Sequence, residues 1–205
     1  MWLIRKLRGL RYMSCTNDYK KKREIVKYFF TFIVICILGT SCNRIKIERD
    51  IANMMGTRVV VPYDSLYALH EIDKVQIDAA DYVYVVYYDS TVCSVCTLKN
   101  GYYWETLRDS LRQVEKNVEF VFVYAPPKEE IPKFINELKY VKNTFVTLVD
   151  TIGVFGRNNK HISSNSNLHA FLLDKERKVV MVGNVQSTPA VEKLFWKSLS
   201  GDNEK

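Results

Sequence analysis

Apolar residues in this chain occur in short runs that alternate with amphipathic segments. Residues 82–88 are apolar or aromatic at every position, which is typical of a central strand buried on both faces. Residues 119–124 predict a second buried strand. Four shorter runs predict further strands, at residues 58–61, 145–149, 170–173 and 179–182. The first of these is closed by Pro62 and is expected to lie at an edge of the sheet.

Helical periodicity appears between these runs. Apolar residues recur at roughly helical spacing in residues 96–115 and 129–141, and Pro189 is well placed to open a last helix through residue 199. Residues 43–55 read as a short helix or tether ended by Gly56, and no element is predicted for residues 63–80. Alternating strands and helices predict an α/β fold with a central mixed sheet flanked by helices.

The N-terminal segment has the pattern of an export signal. Basic residues 20–23 precede an apolar core at 28–38, whose length suits a signal peptide and is too short for a comfortable bilayer span. Small residues at 39–41 lie directly before Cys42. This site resembles the lipobox of bacterial lipoproteins, which implies that Cys42 becomes the diacylated first residue of the mature protein. A plain signal peptide cut nearby and an uncleaved anchor are the alternatives.

These features predict three regions. Residues 1–41 are the signal peptide, with Met13 as an alternative start that would place residues 1–12 upstream of the true chain. Residues 42–57 are a lipidated tether, and residues 58–200 are the folded domain. We expect the protein in the cell envelope, lipid-anchored and facing the periplasm, on either the inner or the outer membrane.

The distribution of charge excludes one class of partner. The formal net charge of +7 comes from 30 basic and 23 acidic residues, but residues 1–41 hold nine of the basic and two of the acidic ones. The remaining 21 basic and 21 acidic residues leave the body formally neutral. Nucleic acid is therefore not an expected partner, since binding to phosphates needs a basic surface.

The body of the chain retains two of the five cysteines, Cys93 and Cys96. A disulfide between them would close a loop too short to stabilise the fold appreciably, so chemistry is the better explanation. At a helix N-terminus, Cys93 would meet unsatisfied backbone N–H groups that favour the thiolate. We expect Cys93 to be the nucleophile and Cys96, one turn further and shielded, to resolve the mixed disulfide. Half of a metal site, an inert disulfide and incidental core cysteines are the alternatives.

The order of strand, CxxC, helix, strand, helix, β-hairpin and helix resembles the thioredoxin fold over roughly residues 58–199. The exported setting, with residues 171–174 followed by 178–183, is most similar to the TlpA/ResA-type thiol–disulfide oxidoreductases. This resemblance implies exchange with protein thiols or disulfides through a redox-active disulfide, without a bound cofactor. It also implies a partner reductase as the source of electrons.

Several positions depart from that family. Val92 stands where the family usually has Trp, and Val95 where Pro is frequent. The family's cis-proline aligns with Leu168, which is predicted to be trans because a non-proline cis bond costs about 3 kcal/mol. The family's buried acid has no clear match, since Asp89 is expected in a turn.

Leu168 and His169 form the predicted substrate-docking loop. His169 either faces the cysteines or points into the sheet or solvent. The first orientation leaves a second function open: a degenerate thioredoxin-like binding module for a partner protein, or for a metal ion held by Cys93, Cys96 and His169. A structural domain with a spectator disulfide is the third hypothesis.

Overall fold

The computed structural model describes Lys27 and residues 44–98, 101–141 and 144–200. Apart from Lys27, the predicted signal peptide therefore lies outside the described residues, as does the lipidation site Cys42. The chain divides into two compact units, residues 1–49 and 50–205. In the first unit, residues 44–49 are helical and exposed, and Arg44 pairs with Glu48 at 2.9 Å. None of the helices in the described part is both long and apolar enough for a membrane span.

The described residues of the second unit are built on one mixed sheet of six strands: β1 (Tyr67–Ala68), β2 (Tyr82–Tyr88), β3 (Val118–Tyr124), β4 (Val146–Val149), β5 (Ala170–Leu173) and β6 (Val179–Val182). Their order across the sheet is β1-β4-β3-β2-β5-β6. Strands β2, β3 and β4 run parallel, whereas β1 is antiparallel to β4, β5 to β2 and β6 to β5. At the centre of the sheet, Val85 of β2 lies beside Val121 and Phe171.

In the described residues after residue 54, six helices surround this sheet: α1 (Lys74–Ala79), α2 (Ser94–Leu98), α3 (Gly101–Gln113), α4 (Ile131–Leu138), α5 (Val154–Asn158) and α6 (Pro189–Ser200). Short 3-10 turns are formed by Tyr63–Ser65, Lys128–Glu130 and Ser166–Leu168. The spatial order β3-β2-β5-β6, with helical crossovers after β2 and β3 and a closing hairpin and helix, is the thioredoxin-like arrangement. The fold predicted from the sequence is confirmed.

The sheet separates two apolar layers, and alternation along β2 assigns its residues to both. Tyr84, Val86 and Tyr88 belong to one core cluster, whereas Val83 and Val85 belong to the other. The first cluster is completed by α3, α4 and α6 through Trp104, Leu107, Leu111, Phe134, Leu138, Phe195 and Leu199. The second contains Met54, Ile77 of α1 and Phe155 of α5. Burial on both faces explains why β2 has no polar position.

The edge strand predicted at residues 58–61 is wrong: this segment makes an isolated bridge, between Arg58 and Lys178. The side-chain amide of Asn159 accepts from the Val60 N–H and donates to the Val60 carbonyl, both at 2.8 Å, so neither group is free for a ladder. Pro62 has no N–H to continue it. The short strand β1, in the region for which no element was predicted, lies at the opposite edge of the sheet, beside β4.

Two other segments can be compared with the sequence analysis. Residues 50–54, which it reads as part of a short helix or tether, are helical, and Met54 is fully buried in the second core cluster. The long helix predicted over residues 96–115 consists of α2 and α3, which lie on either side of residues 99 and 100. Gly101, whose helix propensity is poor, is the first residue of α3.

Tyr84 joins the central strand to the segment that follows β6. Its hydroxyl donates to the Gly183 carbonyl at 2.8 Å and accepts from the Val185 N–H at 3.1 Å. Burial raises the pKa of this phenol above its ordinary value, so the hydroxyl stays protonated. Gly183 has a φ of +138°, and a Cβ there would lie 3.0 Å from Val191 Cγ1. Glycine is thus required at position 183, where the Tyr84 hydroxyl binds the backbone.

We expect Tyr84→Phe to lower the free energy of unfolding by about 1–3 kcal/mol, because it leaves two buried backbone groups without their partner. Urea unfolding of the oxidised protein measures this change. Tyr102→Phe is the matched control, since the Tyr102 side chain is 82% exposed. Equal stability of the two variants would contradict the role given to Tyr84.

Candidate functional site

Cys93 and Cys96 lie where the central strand passes into a helix. β2 ends at Tyr88, and the N–H groups of Cys96 and Thr97 both donate to the Cys93 carbonyl, at 3.1 and 3.2 Å. Cys93 is therefore the residue from which the first turn of α2 begins. The two cysteines form a disulfide with their Cα atoms 5.4 Å apart, and both residues are exposed. Solvent and a thiol can reach this bond.

The shielding predicted for Cys96 is wrong, because α2 turns a different residue toward the core. Ser94 is only 1% exposed, and Leu98, one helical turn later, is also buried. Residues i and i+4 share one face of a helix, so burying Ser94 and Leu98 leaves Cys96 outside. Within the described residues, the Ser94 hydroxyl has no hydrogen-bond partner. Val92 and Val95, the two departures from the family pattern, pack partly buried against the first core cluster.

Two stacked tyrosines lie at the carboxyl ends of the neighbouring strands. The rings of Tyr88 and Tyr124 are 4.8 Å apart and nearly parallel, and Phe134 packs on Tyr124 at 4.9 Å. Burial raises the pKa of Tyr88 to about 12. Burial also raises the pKa of Tyr124, although a hydrogen bond with the Thr97 side chain acts against the rise. Both phenols are neutral at physiological pH, so this end of the sheet carries no phenolate.

Asp89 shapes the turn that leads to Cys93, as the sequence predicts. Its carboxylate accepts from the Thr91 N–H at 2.9 Å and from the Thr91 hydroxyl at 2.5 Å. Its carbonyl accepts from the Val92 N–H at 3.2 Å. These bonds determine the path of the four residues between the central strand and the disulfide.

Both side chains of the predicted docking loop, Leu168 and His169, are buried. The peptide bonds of the described residues include no cis bond, so the trans prediction for Leu168 is confirmed. The buried Leu168 side chain belongs to the second core cluster, whereas Val92 and Val95 pack on the first. Its side chain therefore lies in the core rather than on a docking surface.

His169, the other residue of this loop, is buried beside Asp89. Its Nε2 atom is 2.7 Å from the Ser163 carbonyl, and its Nδ1 atom is 3.4 Å from an Asp89 carboxylate oxygen. In the part of the chain that the structure describes, no three His, Cys, Asp or Glu side chains are grouped as a metal site. The metal-binding alternative therefore gains no support from the positions of Cys93, Cys96 and His169.

Ser163, Tyr87 and Tyr124 are the site residues that sequence reasoning missed. Ser and Tyr are common types, and no spacing distinguishes these three. Ser163 and Tyr87 become neighbours of the site only through the pairing of β2 with β5, in which the Tyr87 N–H donates to the His169 carbonyl at 2.7 Å. Strand register of this kind depends on the whole sheet.

The fold and the site together define a thioredoxin-like domain with an accessible CxxC disulfide. No model of a protein family matches the chain, and no curated protein sequence matches it. Among solved structures, the chain is similar to a Chlorobium tepidum protein assigned as the thiol:disulfide interchange protein DsbE, with 16% identity and a TM-score of 0.49 over 71% of this chain and 97% of that one.

It is also similar to the thioredoxin domain of a thiol-disulfide oxidoreductase from Bacteroides vulgatus. Here the identity is 16% and the TM-score 0.45, over 68% of this chain and 96% of that one.

We expect Ser94→Ala to raise the free energy of unfolding of the oxidised protein by about 1 kcal/mol, because it removes a buried hydroxyl that makes no hydrogen bond. Urea unfolding without reductant measures the change. Ser90→Ala is the control, since Ser90 is exposed in the neighbouring turn. A loss of stability on Ser94→Ala would show that the hydroxyl has a partner after all.

Proposed function

We propose that this protein is an exported, lipid-anchored thiol–disulfide oxidoreductase that acts on protein thiols or disulfides through Cys93 and Cys96. The observation that carries the proposal is the exposed disulfide at the start of the helix that follows the central strand. A bond that spans three residues contributes little to folding stability. An exposed bond of this kind after the central strand is well suited to exchange.

In the reducing direction, the Cys93 thiolate attacks one sulfur of a substrate disulfide. A bond forms between Cys93 Sγ and that sulfur, the substrate S–S bond breaks, and the other substrate sulfur leaves as a thiolate. The Cys96 thiolate then attacks Cys93 Sγ, which forms the Cys93–Cys96 disulfide and releases the second substrate thiolate. The substrate gains the two electrons that the cysteine pair loses. The reverse steps oxidise a substrate dithiol.

The order of attack rests on the position of Cys93 before the first turn of α2, where backbone N–H groups have no partner within the helix. Exposure alone does not separate the two sulfurs, because Cys96 is exposed as well. To act again after reducing a substrate, the pair must receive two electrons from a dithiol protein. A partner reductase is therefore part of the proposal.

We expect Cys96→Ala to accumulate mixed disulfides with client proteins, because the resolving thiol is missing. Cys93→Ala is the matched control and should trap none, with exchange at least about 100-fold slower than wild type. Non-reducing gels after acid quenching detect the adducts, and reduction of a disulfide-bonded test protein gives the rate. Undiminished exchange by Cys93→Ala would contradict its role as nucleophile, and a wild-type disulfide inert to dithiols would contradict the proposed function.

The membrane anchor is tested separately. We expect the mature protein to begin at Cys42 and to carry acyl chains, so that mass spectrometry of the membrane fraction finds a diacylated N-terminal peptide. Cys42→Ser should abolish the acylation and move the protein out of that fraction, whereas Cys36→Ser in the signal core should not. An unmodified Cys42 would contradict the lipid anchor: in membrane-bound protein it would favour the uncleaved anchor, and in released protein the plain signal peptide.

A further inference from the structure

His169 is a buried titratable side chain between two groups that only accept hydrogen bonds. It is 5% exposed, with Nε2 2.7 Å from the Ser163 carbonyl and Nδ1 3.4 Å from an Asp89 carboxylate oxygen. A carbonyl cannot donate, so Nε2 carries a proton. A neutral imidazole would then direct the lone pair of Nδ1 at a carboxylate. The imidazolium places a proton there and forms an ion pair with the carboxylate, although the 3.4 Å contact does not have hydrogen-bond geometry.

The neighbouring groups place negative charge around this ring. Tyr87 packs against it with ring centroids 5.1 Å apart, and burial together with the carboxylates of Asp150 and Asp89 raises the pKa of this phenol to about 12, so it is neutral. Asp89 is the facing carboxylate, and its side chain is 19% exposed. On the other side, Asp50 accepts a hydrogen bond from the Ser163 hydroxyl at 2.6 Å.

The Asp89 carboxylate connects His169 to the turn that presents Cys93. One carboxylate oxygen accepts both the N–H and the hydroxyl of Thr91, while the other faces Nδ1 of His169. The opposite ring nitrogen reaches the carbonyl of Ser163. The His169 side chain therefore bridges the turn at residues 89–92 and the loop at residues 163–169. These two segments flank the carboxyl end of the central strand.

We propose that His169 is a charged positioning residue for the exchange reaction: as an imidazolium it clamps the turn that leads to Cys93 onto the loop before β5, and the clamp opens when Nδ1 loses its proton. The link to exchange rests on the proposed function, whereas the clamp itself does not. Opening removes the ion pair that holds Asp89, and so loosens the exposed Asp89–Thr91 hydrogen bonds and the path to Cys93. The sign follows from electrostatics, since the ion pair exists at lower pH and is lost as pH rises.

Two measurements on the oxidised full chain in detergent test the clamp. Nitrogen-15 NMR of the histidine rings reports whether both nitrogens of His169 are protonated, which we expect at pH 6. Hydrogen exchange of the Thr91 and Val92 amides, corrected for intrinsic base catalysis, should show at least a fivefold loss of protection between pH 6 and 8.5. His169→Gln keeps a side-chain donor but cannot titrate, and it should remove this pH dependence.

Asp89→Asn provides a second variant with an intact imidazole. It should also flatten the profile, because an amide still accepts from Thr91 but forms no ion pair. His70→Gln is the matched control, since His70 is exposed and should leave the wild-type profile unchanged. If His169→Gln does not fold, the wild-type pH profile and Asp89→Asn still decide the matter.

The outcomes separate this inference from the proposed function. A singly protonated His169 ring at pH 6, or equal protection of Thr91 and Val92 at both pH values, would overturn the clamp. If the clamp behaves as expected, the exchange rate of the wild type with a disulfide-bonded protein, divided by the fraction of Cys93 thiolate at each pH, should change at least threefold over the same range, and this remaining change should vanish in His169→Gln. An intact clamp on a disulfide that never exchanges would support the clamp and count against the proposed function alone.

Discussion

The burial of β2 on both faces is the constraint on which the rest of the structure depends. With β3 on one side and β5 on the other, this strand places Tyr84, Val86 and Tyr88 in one apolar layer and alternate residues in the other. A strand without polar positions has no stable place at an edge. The carboxyl end of β2 therefore lies between the ends of neighbouring strands. The chain that continues from it carries the disulfide.

The site combines an exposed disulfide with neighbouring side chains that are mostly uncharged. Stacked, neutral Tyr88 and Tyr124 lie at the ends of β2 and β3, and partly buried Val92 and Val95 flank the cysteines. The charged groups near the site are Asp89 and His169, which lie in the segment that follows β2 and in the loop before β5. In the proposed function the cysteines carry the electrons, and in the further inference the charged pair controls how firmly Cys93 is presented.

Particular residues show where prediction from the sequence succeeded and failed. The central strands, the closing hairpin and the last helix follow from runs of apolar residues long enough to dominate their own environment. Residues 58–61 carry a similar β-branched run. However, the Asn159 side chain hydrogen-bonds the N–H and the carbonyl of Val60, which replaces the strand-to-strand hydrogen bonds there. The partner is 99 residues away, and no local pattern encodes such a bond. The exposure of Cys96 was missed because it depends on which face of α2 the core accepts.

The sequence by itself determined the alternation of strands and helices, the neutrality of the body and the presence of one CxxC pair after a buried strand. Those features are local, since they depend on the type and spacing of neighbouring residues. Only the tertiary structure decided that Ser94 is buried and Cys96 exposed, and that His169 meets both Asp89 and Ser163. Those contacts join residues that are distant along the chain, and they depend on strand register and helix rotation, which are set when the two apolar layers pack against the sheet.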